Sequence, residues 1–293
     1  MIRDTRKEWL VALALITPFL AVYGLVFVYP TVDMVRMSFT DAPLIGAGDY
    51  VGLDNYTRLT GDRRFHTAMW NTTWFVLLSV IPGTLVALLI ALAVSRLSGR
   101  MQSLVLALFF LPYILPVSVI YLLWDWTLNF QFGIAMQFFD MIGLERIPVF
   151  KSATWFIPAV ALITVWWTCG FNVLLFLAGL RAIPQDIYEA AALDNAGRWR
   201  TFSRVTWPLL WPITALNFTI QLILQMKIFD QVYLFSQGGR PNDNLVMVYY
   251  IFQRAFVNNN GGRAAAVAVV LFFIVIIVSV LNFQLMRLAE RKQ

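Results

Sequence analysis

Six stretches of this sequence are each apolar enough and long enough to cross a lipid bilayer. A helix needs about 20 predominantly apolar residues to span the hydrocarbon core. The stretches that meet this requirement are 9–30, 70–94, 103–128, 153–180, 209–235 and 264–286. In lipid, backbone N–H and C=O groups must pair within the protein, so each stretch predicts a transmembrane helix. We therefore expect an all-α integral membrane protein, with residues 1–293 forming a single transmembrane domain.

The composition excludes most soluble classes of protein. The chain is 60% hydrophobic and 13% charged, whereas soluble domains are about 45–50% apolar and about 25% charged. The only cysteine, Cys169, excludes a disulfide framework, and the only histidine, His66, excludes a histidine-rich metal cluster. The net charge of +6 is spread over short segments between apolar stretches, which favours membrane orientation over nucleic-acid binding. We expect membrane lipid around the chain, no nucleic acid, no metal site and no catalytic residues.

The distribution of Lys and Arg predicts the orientation of the chain. An even number of spans puts both termini on the same side of the membrane. With cytoplasmic termini, twelve Lys and Arg residues lie on the cytoplasmic side and nine on the other side. The excess is concentrated in short loops next to the spans, where the positive-inside rule is most reliable. Both termini are therefore predicted to be cytoplasmic.

The polar segment 181–208, between the fourth and fifth spans, carries the pattern of two short helices with a bend. Pro184 and Asp186 suit a first helical turn, because proline fixes φ and a carboxylate is favoured near a helix N-terminus. Asn195 and Gly197 both tolerate left-handed backbone, so the first helix can end there and the chain can turn. The residues alone are also consistent with an amphipathic connection that merely joins two spans.

The second of these short helices is marked by a hydrophobic face. Trp199, Phe202 and Val205 recur at spacings of three residues, which places them on one side of a helix. Pro208 is expected to end this helix before the fifth span, because proline cannot continue the hydrogen-bond ladder.

Several short motifs in this sequence resemble one family of transporters. Glu189-Ala190-Ala191, followed by Asp194, Gly197, Val205 and Trp207-Pro208, resembles the EAA motif of permease subunits in binding-protein-dependent ABC importers. Further motifs at 38–41, 51–56, 70–72 and 235–239 are similar to those of carbohydrate-uptake permeases related to the larger membrane subunit of the maltose transporter. The family usually has glycine where this chain has Asn195, which tolerates the same backbone.

The resemblance implies a division of labour between subunits. In this family the loop forms a coupling helix that docks on the ATP-binding subunit, and that role would fall on Glu189, Ala190, Ala191, Asp194 and Gly197. The implied partners are a second permease subunit that completes a heterodimer, an ATPase homodimer, an extracytoplasmic solute-binding protein, and a sugar or glycoside. A phosphate-binding loop needs Gly-Lys-Ser/Thr, and none of the four lysines follows a glycine. ATP and Mg²⁺ would therefore bind to the partner ATPase, and no cofactor to this chain.

The fifth span carries a polar stripe, formed by Asn217, Gln221 and Gln225. Spacings of four residues place the three amides on one face of a helix, and amides offer both donors and acceptors to sugar hydroxyls. They can equally act as hydrogen-bonding links between helices. By distance from Glu189, the resemblance places further substrate-pathway positions at Tyr113, Thr164, Trp167, Thr168 and Ile228, with Trp166 as an alternative to Trp167.

A charged pair lies near the end of the fifth span. Lys227 and Asp230 are three residues apart, so they can form an ion pair, or Lys227 can meet an anionic group of the substrate.

Two prolines lie in the third span. Pro112 and Pro116 favour a kink there, because proline removes backbone hydrogen bonds.

The function that these observations favour is that of a permease subunit in an ATP-driven importer of a carbohydrate or glycoside, in the bacterial cytoplasmic (inner) membrane, working by alternating access. One alternative is an importer permease for a non-sugar solute. The other is an ion-coupled secondary transporter, which needs carboxylates inside the membrane. The spans offer only Asp33, Asp125 and Asp230, all near span ends or beside Lys227.

Overall fold

The computed structural model describes residues 5–237 and 244–290, and these residues are predominantly helical. The helices are α1 (Thr5–Tyr23), α2 (Tyr29–Met37), α3 (Asp54–Thr60), α4 (Arg63–Val94), α5 (Gly99–Ile114), α6 (Val117–Thr127), α7 (Ile134–Met141), α8 (Phe156–Ala182), α9 (Gln185–Leu193), α10 (Arg198–Thr201), α11 (Trp207–Met226), α12 (Asp230–Ser236), α13 (Met247–Phe252) and α14 (Gly261–Glu290). A single 3₁₀ turn, Val149–Lys151, precedes α8.

The number of long apolar helices agrees with the sequence prediction. Among the described residues, five helices are long and apolar enough to cross a membrane, and a bent pair formed by α5 and α6 supplies a sixth span. The five are Trp9–Met37, Arg63–Val94, Phe156–Ala182, Arg198–Met226 and Gly261–Gln284. The all-α membrane fold predicted from the sequence is thereby confirmed.

The third span is broken rather than merely kinked. Its two halves, α5 and α6, meet at an angle of 97°. Pro116 is the N-cap of α6, and both Leu115 and Pro116 have extended backbone. Because Pro116 has no N–H to donate to Pro112, the Leu115 N–H bonds to the Pro112 carbonyl instead, at 3.1 Å. The prediction that the prolines bend this span is confirmed.

The helix of the fifth span is shifted towards the N-terminus relative to the predicted range 209–235. A π-helical turn, Phe202–Thr206, joins α10 to α11, so that one span runs from Arg198 to Met226. The expectation that Pro208 separates the two helices is wrong, because the π turn interrupts the i→i−4 ladder where Pro208 lacks its N–H.

At its other end the fifth span stops well short of the predicted residue 235. Lys227 is the C-cap of α11, and Phe229 has a non-helical φ of −141°. The N–H groups of Lys227 and Ile228 tighten the last turn by bonding three residues back, to Leu224 and Gln225. The residues after this break form α12, a separate short helix.

The chain divides into two compact units. One consists of the described residues up to Asp62 together with Ile251–Phe272, and the other of Arg63–Tyr250 with the residues from Phe273 onward. In the first unit, Asn55 Nδ2 donates to the carbonyls of Ser38 and Thr40 at 2.9 and 2.7 Å. The most apolar part of Trp9–Met37 is not buried by any described residue.

In the second unit, α8 is the central helix and packs against α4, α5 and α11. Gly170 permits a close approach of α8 to α5, because a Cβ atom there would lie 2.2 Å from the carbonyl oxygen of Phe109 in α5. Ala87 and Ala91 of α4 pack with Val173 of α8 in a buried cluster. Small residues let the helix backbones approach closely, as is typical of membrane helix interfaces.

Candidate functional site

The segment 181–208 contains a short exposed helix, as the sequence predicted. This helix, α9, has Pro184 at its N-cap and Asp186 in its first turn. Glu189 is exposed, and its Oε1 accepts a hydrogen bond from Gln185 Nε2 at 3.1 Å. Ala190 is also exposed. The side of α9 that carries the glutamate is therefore open to a partner.

Asn195 ends α9 in a Schellman motif, with Asp194 as the C-cap. Its φ is +50°, in the left-handed region. The Ala196 N–H bonds to the Ala191 carbonyl at 3.0 Å, and the Asn195 N–H bonds to the Ala192 carbonyl at 3.1 Å. Asparagine thus occupies the left-handed position that usually favours glycine, and the bend is preserved.

Gly197 is free of steric constraint within this chain. Its φ is −64° and its ψ is 162°, values that any residue adopts. No heavy atom lies within 4 Å of the position that a Cβ atom would occupy. Neither the backbone nor the packing of this chain requires glycine at 197.

A pair of hydroxyl groups connects α9 to the fifth span. The hydroxyl of Tyr188 lies 3.3 Å from that of Thr206, at the end of the π turn. Beside this link is a cavity of about 660 Å³, bordered by Arg96, Arg198 and Trp199 among others. The hydroxyl pair therefore bridges one side of a partly open space between α9 and the spans.

Two large apolar side chains on the segment 181–208 are almost completely uncovered. Leu193 is 85% exposed and Trp199 is 77% exposed. Together with Glu189 they form what we call the α9 surface: Glu189, Ala190, Leu193 and Trp199. Exposed apolar groups of this kind are compatible with contact to another protein or to the membrane surface.

The polar stripe of α11 is buried. Gln221 and Gln225 are 5% and 6% exposed, and Gln225 Nε2 donates to Gln221 Oε1 at 3.2 Å. Asn217 is completely buried, and its Nδ2 and Oδ1 atoms have no hydrogen-bond partner among the described residues. The structure therefore pairs two of the three amides and leaves the third unpaired.

Of the predicted pathway residues on α5 and α8, Tyr113 and Trp167 lie next to the bend between α5 and α6. The indole Nε1 of Trp167 donates to the carbonyl of Leu115 at 3.2 Å. The ring of Tyr113 stacks on Phe171, with centroids 5.3 Å apart. The hydroxyls of Thr164 and Thr168 donate to carbonyls one turn earlier in α8, at 2.7 and 2.9 Å. Trp167 thus contacts the bend directly, whereas both threonines are satisfied within their own helix.

Ile228 and Lys227 lie at the break after α11. Ile228 is 5% exposed, whereas Lys227 is exposed. Within the described part of the chain, no ion pair joins Lys227 to Asp230, because the helix ends between them. The ammonium group of Lys227 therefore remains available to another partner.

A buried amide in the fourth span was not singled out from the sequence. Asn172, near the middle of α8, is completely buried, and neither its Nδ2 nor its Oδ1 has a partner among the described residues. The signal was an amide inside an otherwise apolar span, which is costly unless it pairs. It lies four residues after Thr168 and eight after Thr164, so the spacing already places it on the same face of α8 as those two residues.

Comparison with known proteins identifies the family. Residues 83–292 match the family model described as the inner membrane component of binding-protein-dependent transport systems. The chain belongs to this family. Its members are integral subunits of the inner membrane, and the match includes the segment 181–208 and α11.

Curated relatives of this inner membrane component match most of the chain. The sulfoquinovosyl glycerol transport system permease of Agrobacterium fabrum is 32% identical over 248 residues, which are 84% of this chain and 80% of the relative. The trehalose/maltose transport system permease of Thermococcus litoralis is 30% identical over 227 residues, 77% of this chain and 76% of the relative.

A solved structure has the same fold. The inner membrane component aligns to a chain in the crystal structure of a bacterial alginate ABC transporter in complex with an alginate pentasaccharide-bound periplasmic protein. The TM-score is 0.86 at 23% identity, and the alignment covers 98% of this chain and 97% of the other. The recognised family and the fold class predicted from the sequence are both confirmed.

Proposed function

We propose that this chain is the permease subunit of an ATP-driven importer that carries a carbohydrate or glycoside across the cytoplasmic membrane by alternating access. It pairs with a second permease subunit, two copies of an ATPase and an extracytoplasmic binding protein. The observation that carries the proposal is the α9 surface. It comprises exposed Glu189 and Leu193 on α9, which is linked to the fifth span by the Tyr188 hydroxyl, and exposed Trp199 at the start of that span. The permeases of the sulfoquinovosyl glycerol and trehalose/maltose transport systems, to which this chain is similar, support the substrate class.

The energy source in this proposal is the partner ATPase. No lysine of this chain follows a glycine, so the chain lacks the Gly-Lys-Ser/Thr loop that cradles phosphates. ATP and Mg²⁺ bind to the ATPase, whose closure pushes on Glu189, Ala190, Ala191, Asp194 and Gly197. The absence of steric constraint at Gly197 within this chain leaves room there for the partner to approach.

The orientation follows from the same assignment. Both termini and the segment 181–208 lie in the cytoplasm, in agreement with the excess of Lys and Arg near those span ends. Reporter fusions test this arrangement: fusions at Asn55 and Asn259 should report the outside, and fusions at Ser98 and Trp199 the inside. A cytoplasmic signal from Asn55 would contradict it.

The substrate pathway in this proposal runs along α11 and the bend of the third span. Asn217, Gln221 and Gln225 supply hydrogen bonds on α11, with Ile228 and Lys227 at its end. Its other members, on α5 and α8, are Tyr113, Thr164, Trp167 and Thr168. The orphaned amide of Asn217 supports this assignment, because a buried amide without a partner costs about 1–3 kcal/mol unless another group or state satisfies it.

A whole-cell uptake screen tests the function. Cells that lack only this chain are supplied with radiolabelled maltose, trehalose, arabinotriose and sulfoquinovosyl glycerol, and with phosphate, glutamine and spermidine for the non-sugar alternative. We expect loss of uptake for at least one glycoside and restoration by the plasmid-borne gene. Loss confined to a non-sugar solute would replace the proposal with the alternative importer class.

A further inference from the structure

A second cavity lies in the second unit at the opposite end of α8 from the segment 181–208. It is lined by the end of α6, the loop that follows it, the 3₁₀ turn Val149–Lys151 and Phe235 of α12, and its volume is about 350 Å³. We call it the α6–α8 cavity. Since α8 has 27 residues and rises about 1.5 Å per residue, about 40 Å of helix separates this cavity from the α9 surface.

One wall of the α6–α8 cavity is aromatic. Phe150 stacks on Phe235 with ring centroids 4.5 Å apart, and Tyr121 meets Phe235 edge-on at 5.3 Å. Phe235 is 2% exposed, whereas Phe150 and Tyr121 are half-buried and line the cavity. The cavity therefore offers ring surface next to solvent.

The rest of the lining is polar and hydrogen-bonding. Asp125, Asn129 and Lys151 all line the cavity. Neither the Asp125 carboxylate nor the Lys151 ammonium has a hydrogen bond or ion pair with another described residue. Asn129 uses its Oδ1 to accept the Gln131 N–H at 3.0 Å, which leaves its Nδ2 as a donor. The cavity therefore places a carboxylate acceptor, a cation and an amide donor beside the aromatic wall.

The loop that forms this polar wall is held in place before any ligand arrives. Arg146 Nη1 donates to the carbonyls of Phe130 and Gln131 at 3.1 and 2.7 Å, and its Nε pairs with Asp140. That hydrogen bond lowers the pKa of Asp140, so the carboxylate stays charged. Gly133 closes the turn, because a Cβ atom there would lie 2.5 Å from the Thr127 carbonyl. A wall organised in advance loses little entropy when a ligand binds.

The chemistry of this lining selects the class of ligand. A hydrophobic ligand would desolvate Asp125 and Lys151 without compensation. A phosphate would meet one cation opposed by one carboxylate, which gives little net attraction. A sugar ring has an apolar C–H face for the aromatic wall and hydroxyls that both donate and accept, so it suits every group present.

From these observations we propose that the α6–α8 cavity binds one pyranose or furanose ring of the transported glycoside, where the glycoside first meets the permease. This inference rests on the proposed function and adds a receiving site distinct from the pathway through the spans. Its volume lies near the lower end of ligand sites, roughly 300–1,000 Å³, which accommodates one ring rather than a long chain.

The test uses the assembled complex in nanodiscs, without ATP and without the binding protein. The probe is the glycoside whose uptake requires this chain in the whole-cell screen. Its binding is measured by equilibrium binding of the radiolabelled sugar and by saturation-transfer NMR. The variants are Asp125→Asn, Lys151→Met and their combination, with Glu145→Gln as the control. Glu145 is an exposed residue outside the cavity lining, so its variant matches the loss of one carboxylate in Asp125→Asn.

We expect each single variant to weaken binding of the free sugar several-fold and the double variant by more than about tenfold. In proteoliposome uptake, the half-saturating concentration of loaded binding protein should rise while the maximal rate changes less than about twofold. Phe150→Ala should also weaken sugar binding, whereas Phe150→Tyr, which keeps an aromatic ring, should bind as the unmodified complex does. This comparison distinguishes loss of the ring surface from a folding defect.

The outcomes separate this inference from the proposed function. If no glycoside depends on the chain in cells, the proposed function fails. If a glycoside does depend on it but the double variant binds and transports it as the control does, the function stands and the α6–α8 site is refuted. The site would also be refuted if the unmodified complex binds no free sugar and the variants change only the affinity for the binding protein.

Discussion

The hydroxyl of Tyr188 lies 3.3 Å from the hydroxyl of Thr206, and it is through this pair that α9 contacts the π turn of the fifth span. Under the proposed function, the ATPase displaces α9 and the displacement must reach α11. A side-chain link at a π turn, where the helix ladder is already interrupted, can pass on that movement without deforming regular helix.

The first prediction concerns this link. Tyr188→Phe removes one hydroxyl and keeps the ring, so the complex should assemble normally while ATP hydrolysis responds less to sugar-loaded binding protein. Because a neutral hydrogen bond contributes about 1 kcal/mol, we expect transport to fall by roughly fivefold. Tyr50→Phe is the control, since Tyr50 is 78% exposed. If ATP hydrolysis responds equally to loaded binding protein in both variants, the hydroxyl pair does not transmit the movement of α9 to the fifth span.

The second prediction concerns the end of α9. Asn195→Gly should leave the Schellman motif intact, because glycine adopts a positive φ freely. Asn195→Val should destabilise it by about 1–2 kcal/mol, since a β-branched side chain is strained at a φ of +50°. Measured side by side, transport should survive the glycine variant and be strongly reduced by the valine variant. Full activity of Asn195→Val would mean that the bend does not matter.

The third prediction concerns Gly197. Alanine can adopt the backbone conformation of residue 197, and its Cβ atom would contact no other atom of the chain. The amount of folded Gly197→Ala permease, measured by size-exclusion chromatography, should therefore equal that of the unmodified chain. A weaker affinity for the ATPase in pull-down titrations would then report a close approach of the partner. Unchanged affinity and transport would remove Gly197 from the proposed docking surface.

The fourth prediction separates the substrate pathway from interhelical packing. Gln225→Leu leaves Gln221 without its hydrogen-bond donor and should lower the thermal stability of the complex, by about 1 kcal/mol. Asn217→Leu removes two atoms that have no partner, so packing alone predicts equal or higher stability. If Asn217 meets water or sugar during transport, the rate per assembled complex should nevertheless fall. An unchanged rate would take Asn217 out of the pathway.

The sequence was sufficient for features that depend on local chemistry. Apolar length predicted the number of spans, Pro112 and Pro116 predicted the bend in the third, and Pro184 and Asn195 predicted the limits of α9. Each of these follows from backbone hydrogen bonds or φ preferences within a few residues.

Features that depend on packing could not be predicted in the same way. The Tyr188 and Thr206 hydroxyls are 18 residues apart, and the indole of Trp167 bonds to Leu115 at the break between α5 and α6. The span Arg198–Met226 continues through Pro208 because of a π turn, and no residue pattern in the sequence predicts that turn. The burial of Asn217 and Asn172 likewise arises from neighbouring helices, so the sequence could suggest their polarity but not their lack of partners.

The most direct test of the account is sugar uptake by the complete complex in proteoliposomes, with purified binding protein outside and ATP trapped inside. The probe is the glycoside that depends on this chain in cells, and matched liposomes carry either no ATP or a sodium or proton gradient in its place. We predict accumulation only with ATP and binding protein together, and its loss in Glu189→Ala while the complex remains assembled. Accumulation driven by an ion gradient without ATP would contradict the account.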